Sequence, residues 1–128
     1  MKIKACENLE AAKILINSKQ YTSSIHCSYY AVFQYMKYML AHIKNDPISY
    51  EKQDNQRQDS HEYIIENIKN KIIKPANAKD FKEGISSLKR YRKIADYTTT
   101  NFSMEESLEQ KQNAENLIAK LKTYFGNI

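Results

Sequence analysis

The 128-residue chain holds only two glycines, two prolines, two cysteines and no tryptophan. A sheet protein of this length would need many hairpins marked by Gly, Pro or Asn-Gly, so the scarcity of breakers excludes one and favours a helical bundle. Gly84 and Gly126 lie far apart, and no glycine loop can cradle a phosphate. That excludes a stand-alone nucleotide hydrolase of the P-loop or dinucleotide type. Cys6 and Cys27 have neither metal spacing nor a disulfide-rich pattern. Long apolar runs are missing too. Charges break the opening MKIKACENLEAAK before any signal-peptide core, and His26, Gln34, Lys37 and His42 interrupt the most apolar window, Ile25 to Ile43. The expectation is a cytoplasmic protein with reduced thiols, no membrane span and no metal or other cofactor.

What is present is aromatic and basic. Ten tyrosines and four phenylalanines contribute to a hydrophobic content of 41%, enough for one compact core, so residues 1–128 are read as a single domain. The net charge of +5 is unevenly placed. Residues 66–93 carry nine basic and three acidic residues, a local excess of six, and the remainder sums to −1. Such a stretch attracts a polyanion such as RNA, or an acidic protein; a solvated lysine-rich helix face gives the same pattern.

Hydrophobic periodicity predicts four to five helices in an antiparallel, up-and-down, all-α bundle. Ala5, Leu9, Ala12 and Ile16 mark an amphipathic helix over 2–17. A longer helix over about 21–43 places Ile25, Ser28, Tyr29, Val32, Met36, Met39 and Ile43 in one stripe, widened by Tyr30, Phe33 and Leu40. So broad a face implies several neighbours. Residues 44–58 read as one long loop around Asp46-Pro47. Asp59 and Glu62 have capping-box spacing ahead of Ile64, Ile65, Ile68 and Ile72, and Pro75 is expected to end that helix. A fourth helix is expected from Asp80, with Glu83 three residues on, to about Tyr97. Ser103 and Glu106 form the clearest capping box, opening a last helix with Leu108, Ala114, Leu117, Ile118, Leu121 and Phe125 inward. Gly84 falls inside the fourth helix, where it permits close packing.

Within the fourth helix the spacing 81, 85, 88, 92, 95 puts Arg92 where the pattern calls for an apolar residue. A buried cation needs a partner, and Asp96, one turn later, is placed to supply it. Either the pair fixes the bundle's register, or Arg92 lines a cleft and holds a phosphate. Tyr29 reads as a core residue with a satisfied hydroxyl, and Tyr30, about 100° around the helix, points to a bundle edge or a partner. His61 begins the third helix, where the dipole would lower its pKa and favour capping or packing. His26 and His42 have no Cys, Asp or Glu at ligand spacing, and no HExxH element occurs.

Tyr29-Tyr30-Ala31-Val32-Phe33, His61 and Arg92-Lys-Ile-Ala-Asp96-Tyr97, in this order and spacing, resemble the HEPN superfamily of helical domains, in its branch with YYAxF and RxxADY segments. The resemblance covers nearly the whole chain. It implies a dimerising bundle that binds a nucleotide or RNA and is encoded with a minimal nucleotidyltransferase as a toxin–antitoxin-like pair. The nucleotide-binding residues it implies are Arg92, Asp96, Tyr97, Tyr30 and His61, beside a basic surface of Lys82, Lys89, Arg90 and Lys93. Ribonuclease members carry RxxxxH at a dimer interface, its Arg stabilising the scissile phosphate and its His exchanging protons. Here Tyr97 stands five residues after Arg92 and no histidine follows His61. The expectation is therefore a non-catalytic module. The alternatives are a metal-independent ribonuclease toxin using Arg92 with Tyr97 or His61, and a plain interaction bundle with a basic face. In some relatives a tyrosine close after that motif is modified with AMP; Thr99 stands at the matching place.

Overall fold

The computed structural model describes residues 1–57 and 59–128, which form α1 (Lys2–Asn17), α2 (Tyr21–His42), α3 (Tyr50–Asp54), α4 (Ser60–Lys71), α5 (Pro75–Tyr97) and α6 (Met104–Phe125). No strand occurs among the described residues. The broad apolar face of α2 is explained by its place, since it packs against all five other helices. Ile25, Tyr29, Val32, Met36, Met39 and Leu40 are buried along it, with Ala31, Phe33 and Tyr35 filling the sides. Around it the neighbours follow one another as α1, α6, α5, α4 and α3.

Side-chain contacts fix the directions. Asn8 meets Gln34, and the Lys2 ammonium lies over the Tyr38 ring, so α1 runs antiparallel to α2. Asp96 meets His26 and Arg92 lies over Tyr29, which makes α5 antiparallel to α2 as well. The Phe102 N–H donates to Thr22 Oγ1 at one end and Lys122 lies over Tyr35 towards the other, so α6 runs parallel to α2. The chain is an all-α bundle whose outer helices alternate in direction around a central one.

Five local expectations need correction. The loop expected over 44–58 contains α3, started by Ser49, whose Oγ accepts from the Lys52 N–H at 3.2 Å. Gln53 is buried behind it and donates from Nε2 to the Ile48 and Lys37 carbonyls at 2.8 and 3.1 Å. A five-residue helix anchored by a glutamine leaves no apolar period to read. Gln58 lies outside the described residues.

Pro75 does not close α4, which ends at Lys71, but stands in the first turn of α5. Its fixed φ and missing N–H suit that position as well as a stop. Asp80, expected to cap, is thus inside α5 and accepts from Lys120 of α6 at 2.6 Å. Asp59 does cap α4, accepting from the His61 N–H at 2.9 Å, but Glu62 turns to Lys89 instead of completing a box. Leu108, expected inward, is 47% exposed, while Ser107 and Gln110 take the buried places.

The Ser103–Glu106 capping box forms in both directions, at 3.1 and 3.0 Å. At Gly84 a Cβ would come within 2.9 Å of Leu117 Cδ2, which shows how closely α5 and α6 approach there.

Candidate functional site

Because α5 runs antiparallel to α2, its last turns meet the first turns of α2, and the start of α4 closes the same end. Arg92 sits at this junction with its side chain only 6% exposed. Its guanidinium carbon lies 5.0 Å from the Tyr29 ring centre, 5.4 Å from Tyr30 and 5.9 Å from Tyr97. Three aromatic faces within cation–π range offset part of the cost of burying the charge. The carboxylate one turn along completes the arrangement, with Arg92 Nη1 at 3.6 Å from Asp96 Oδ2. That distance is an ion pair and too long for a hydrogen bond. Arg92 Nε is buried with no partner.

Asp96 Oδ2 has a closer neighbour in His26 Nδ1, at 2.8 Å. An ionised carboxylate can only accept, so Nδ1 carries the proton of this contact, and Nε2 has no partner among the described residues. His26 also packs against Tyr30, ring centres 4.6 Å apart. No partner for His26 was expected from the spacing of the sequence. The signal that was there is its place one turn ahead of Tyr30 on the same helix face; the link to Asp96 spans 70 residues and has no local trace.

His61 is drawn inward. Its Nδ1 shares a hydrogen bond with the Tyr29 hydroxyl at 2.7 Å, and its ring stacks on Phe33 at 4.2 Å. Burial, then the nearby Arg92 and Lys89 charges, push its pKa below the ordinary histidine value. The lowering expected from the helix end thus has burial and neighbouring cations as its causes in the fold. Burial raises the Tyr29 hydroxyl's pKa strongly.

The basic stretch divides into two kinds of cation. Lys89, nearly buried, donates to Glu62 at 2.8 Å and lies 3.5 Å from Asp59, and Lys82 pairs with Glu66 and Glu62. These contacts tie α5 to α4. The hydrogen bond from Lys89 holds the Glu62 carboxyl below its usual range. At Asp59 desolvation raises the pKa, but the His61 N–H and Lys89 outweigh it and leave it lowered. Arg90 and Lys93 are exposed and take part in no ion pair among the described residues. Together with Ser86, Lys89 and Glu62 they line a shallow groove of about 250 Å³. A larger apolar groove of about 540 Å³ lies between Ile43, Ile73, Tyr124, Phe125 and Ile128, which belong to other parts of the chain.

The structure thus brings Arg92, Asp96, Tyr97 and Tyr30 into one cluster with His26 and Tyr29, and places His61 beneath it. Among the described residues no group of three or more His, Cys, Asp or Glu could hold a metal ion, and no helix is long and apolar enough to cross a membrane. Neither a curated protein nor a solved structure matches the chain. The family model described as the HEPN domain matches residues 2–124 and so takes in every helix contributing to this cluster; the chain belongs to the HEPN domain family.

Proposed function

We propose that this chain is a nucleotide- or RNA-binding module, non-catalytic, which acts in the cytoplasm as a single-domain homodimer with a minimal nucleotidyltransferase partner in a toxin–antitoxin-like pair. The observation that carries the reading is the state of Arg92. A guanidinium offers five N–H donors in a planar fork, yet this one has a buried Nε without an acceptor, its carboxylate neighbour lies at 3.6 Å, and the other polar groups against it are the neutral phenols of Tyr29 and Tyr97. Phosphate oxygens arriving past Tyr97, whose residue is 75% exposed, would offer the guanidinium charged acceptors, and Tyr30 and Tyr97 flank the approach. Tyr97 holds the position of the RxxxxH histidine. A phenol with a reference pKa of about 10 is a poor general base at neutral pH.

The test is anisotropy titration of labelled RNA and of a nucleoside phosphate against the wild type and Arg92→Ala, with thermal unfolding run alongside. Binding by the wild type and a tenfold or greater loss in a folded variant supports the reading. A wild type that retains no ligand, with a variant that only melts earlier, leaves Arg92–Asp96 a structural pair and overturns it. Co-purification with a tagged nucleotidyltransferase encoded beside the gene tests the partner.

One contact favours a second reading, the ribonuclease. Asp96 orients His26, Nε2 is free, and the 47% exposed side chain stands beside Arg92, so a proton-exchanging group enters from α2 in place of the motif's histidine. RNA cleavage in the presence of chelator that disappears in His26→Ala but persists in Tyr97→Phe would establish this reading over the first.

A further inference from the structure

We infer that the outward face of α5 is a track for single-stranded nucleic acid, with Arg90 and Lys93 contacting its backbone and Tyr97 stacking a base at the entrance to Arg92. This rests on the Arg92 reading and names its ligand as a strand in place of a mononucleotide.

Positions 79, 83, 86, 90, 93 and 97 recur at alternating steps of four and three, and therefore share one stripe of the helix. At 1.5 Å per residue the stripe from Lys79 to Tyr97 is about 27 Å long, well beyond the reach of one nucleotide. The cations on it are of the available kind. Lys82 and Lys89, off the stripe's axis, are consumed by Glu62, Glu66 and Asp59, whereas Lys79, Arg90 and Lys93 are exposed without an ion pair among the described residues. The carboxylates nearby are Glu83, exposed on the stripe, Glu62 and Asp59, already held by lysines, and Asp96 beside Tyr97, held by His26 and Arg92. At the end of the row the exposed Tyr97 ring offers a stacking face, and its inner side lies 5.9 Å from the Arg92 guanidinium. Cations in a row ending on an exposed aromatic suit unstacked bases on a single strand; a duplex hides its base faces. An acidic protein segment would use the cations but gain little from Tyr97.

The experiment measures binding of a 12-nucleotide RNA, its duplex, AMP and polyglutamate across salt concentrations. Each phosphate-contacting cation on a single strand contributes about 0.7 to the slope of log K against log salt. The expected result is that Arg90→Gln/Lys93→Gln lowers that slope by about 1.4, that Tyr97→Ala weakens the single strand about tenfold, and that Lys82→Gln leaves the slope unchanged. An unchanged slope in Arg90→Gln/Lys93→Gln overturns the track. So does equal affinity for AMP, for the duplex, or for polyglutamate irrespective of Tyr97. If the track fails while Arg92→Ala still abolishes AMP binding, the Arg92 reading survives alone; if Arg92→Ala changes nothing, that reading fails by itself.

Discussion

Arg92 stands out from spacing alone, because an out-of-pattern cation breaks an otherwise apolar stripe, and Asp96 stands out with it because side chains four apart on a helix face each other. What surrounds the pair was legible only in part. Tyr29 and Tyr30 are conspicuous in the sequence, but their closeness to the guanidinium depends on how α5 lies on α2, and the His26–Asp96 contact depends on the same packing. His61 gives this arrangement a pH signature. Its folded pKa lies below the ordinary value of 6.5, so the unfolded chain takes up a proton before the folded one does. Protonation therefore favours unfolding: the stabilising contribution is complete above pH 6.5 and is lost progressively as pH falls below it. Urea midpoints measured at pH 7.5 and 5.5 are expected to drop in the wild type and to drop less in His61→Gln. Equal drops would show that the acid sensitivity arises elsewhere.

Of the three spacings read as helix starts, Ser103–Glu106 forms a full box, Asp59 caps without Glu62, and Asp80 lies inside α5. Ser103–Glu106 marks the start of α6, and Ser103→Ala is expected to cost about 1 kcal/mol in thermal or urea unfolding. A loss near zero would mean that water replaces the cap. Pro75 misled because proline is compatible with both a helix stop and a first turn, and here it takes the first turn of α5. Between α4 and α5 the joint is ionic, and Lys89 is its nearly buried member. Removing one partner of a buried pair is worse than removing the charge itself, since an unpaired buried ion remains. Asp59→Asn/Glu62→Gln should therefore lower the urea midpoint more than Lys89→Met does. Below about pH 4.5, as Glu62 and Asp59 take up protons, the wild type should lose the same joint, because both carboxyls are held below their ordinary values in the fold. The reverse order of the variants would show that the methylene stem of Lys89 matters more than its charge.

At the scale of the whole molecule, the five longer helices and the breadth of the α2 stripe were readable, whereas the short α3 and the centrality of α2 were not. Stripe width shows that several neighbours exist; it does not reveal that all five share one helix. That arrangement ranks the helices by stability. The α2 residues from Ile25 to Leu40 are covered on nearly every side, so their amides can exchange only when the core opens as a unit. By contrast α1, although it runs closely along α2, is held through the small side chains Ala5 and Ala12 together with Ile16 and leaves Ile3 and Ile14 exposed, so opening it locally uncovers little large apolar surface. Hydrogen exchange should therefore find α2 amides the slowest and α1 amides the fastest among the four helices longer than α4. Met36, fully buried at the middle of α2, provides the matching perturbation: Met36→Ala is expected to cost about 2–5 kcal/mol. If α2 reports global opening, its protection falls by the same free energy that the urea midpoint loses, while α1, already exchanging by local opening, changes less. A variant whose midpoint falls with α2 protection intact would mean that α2 is not the element on which the bundle's cooperativity depends.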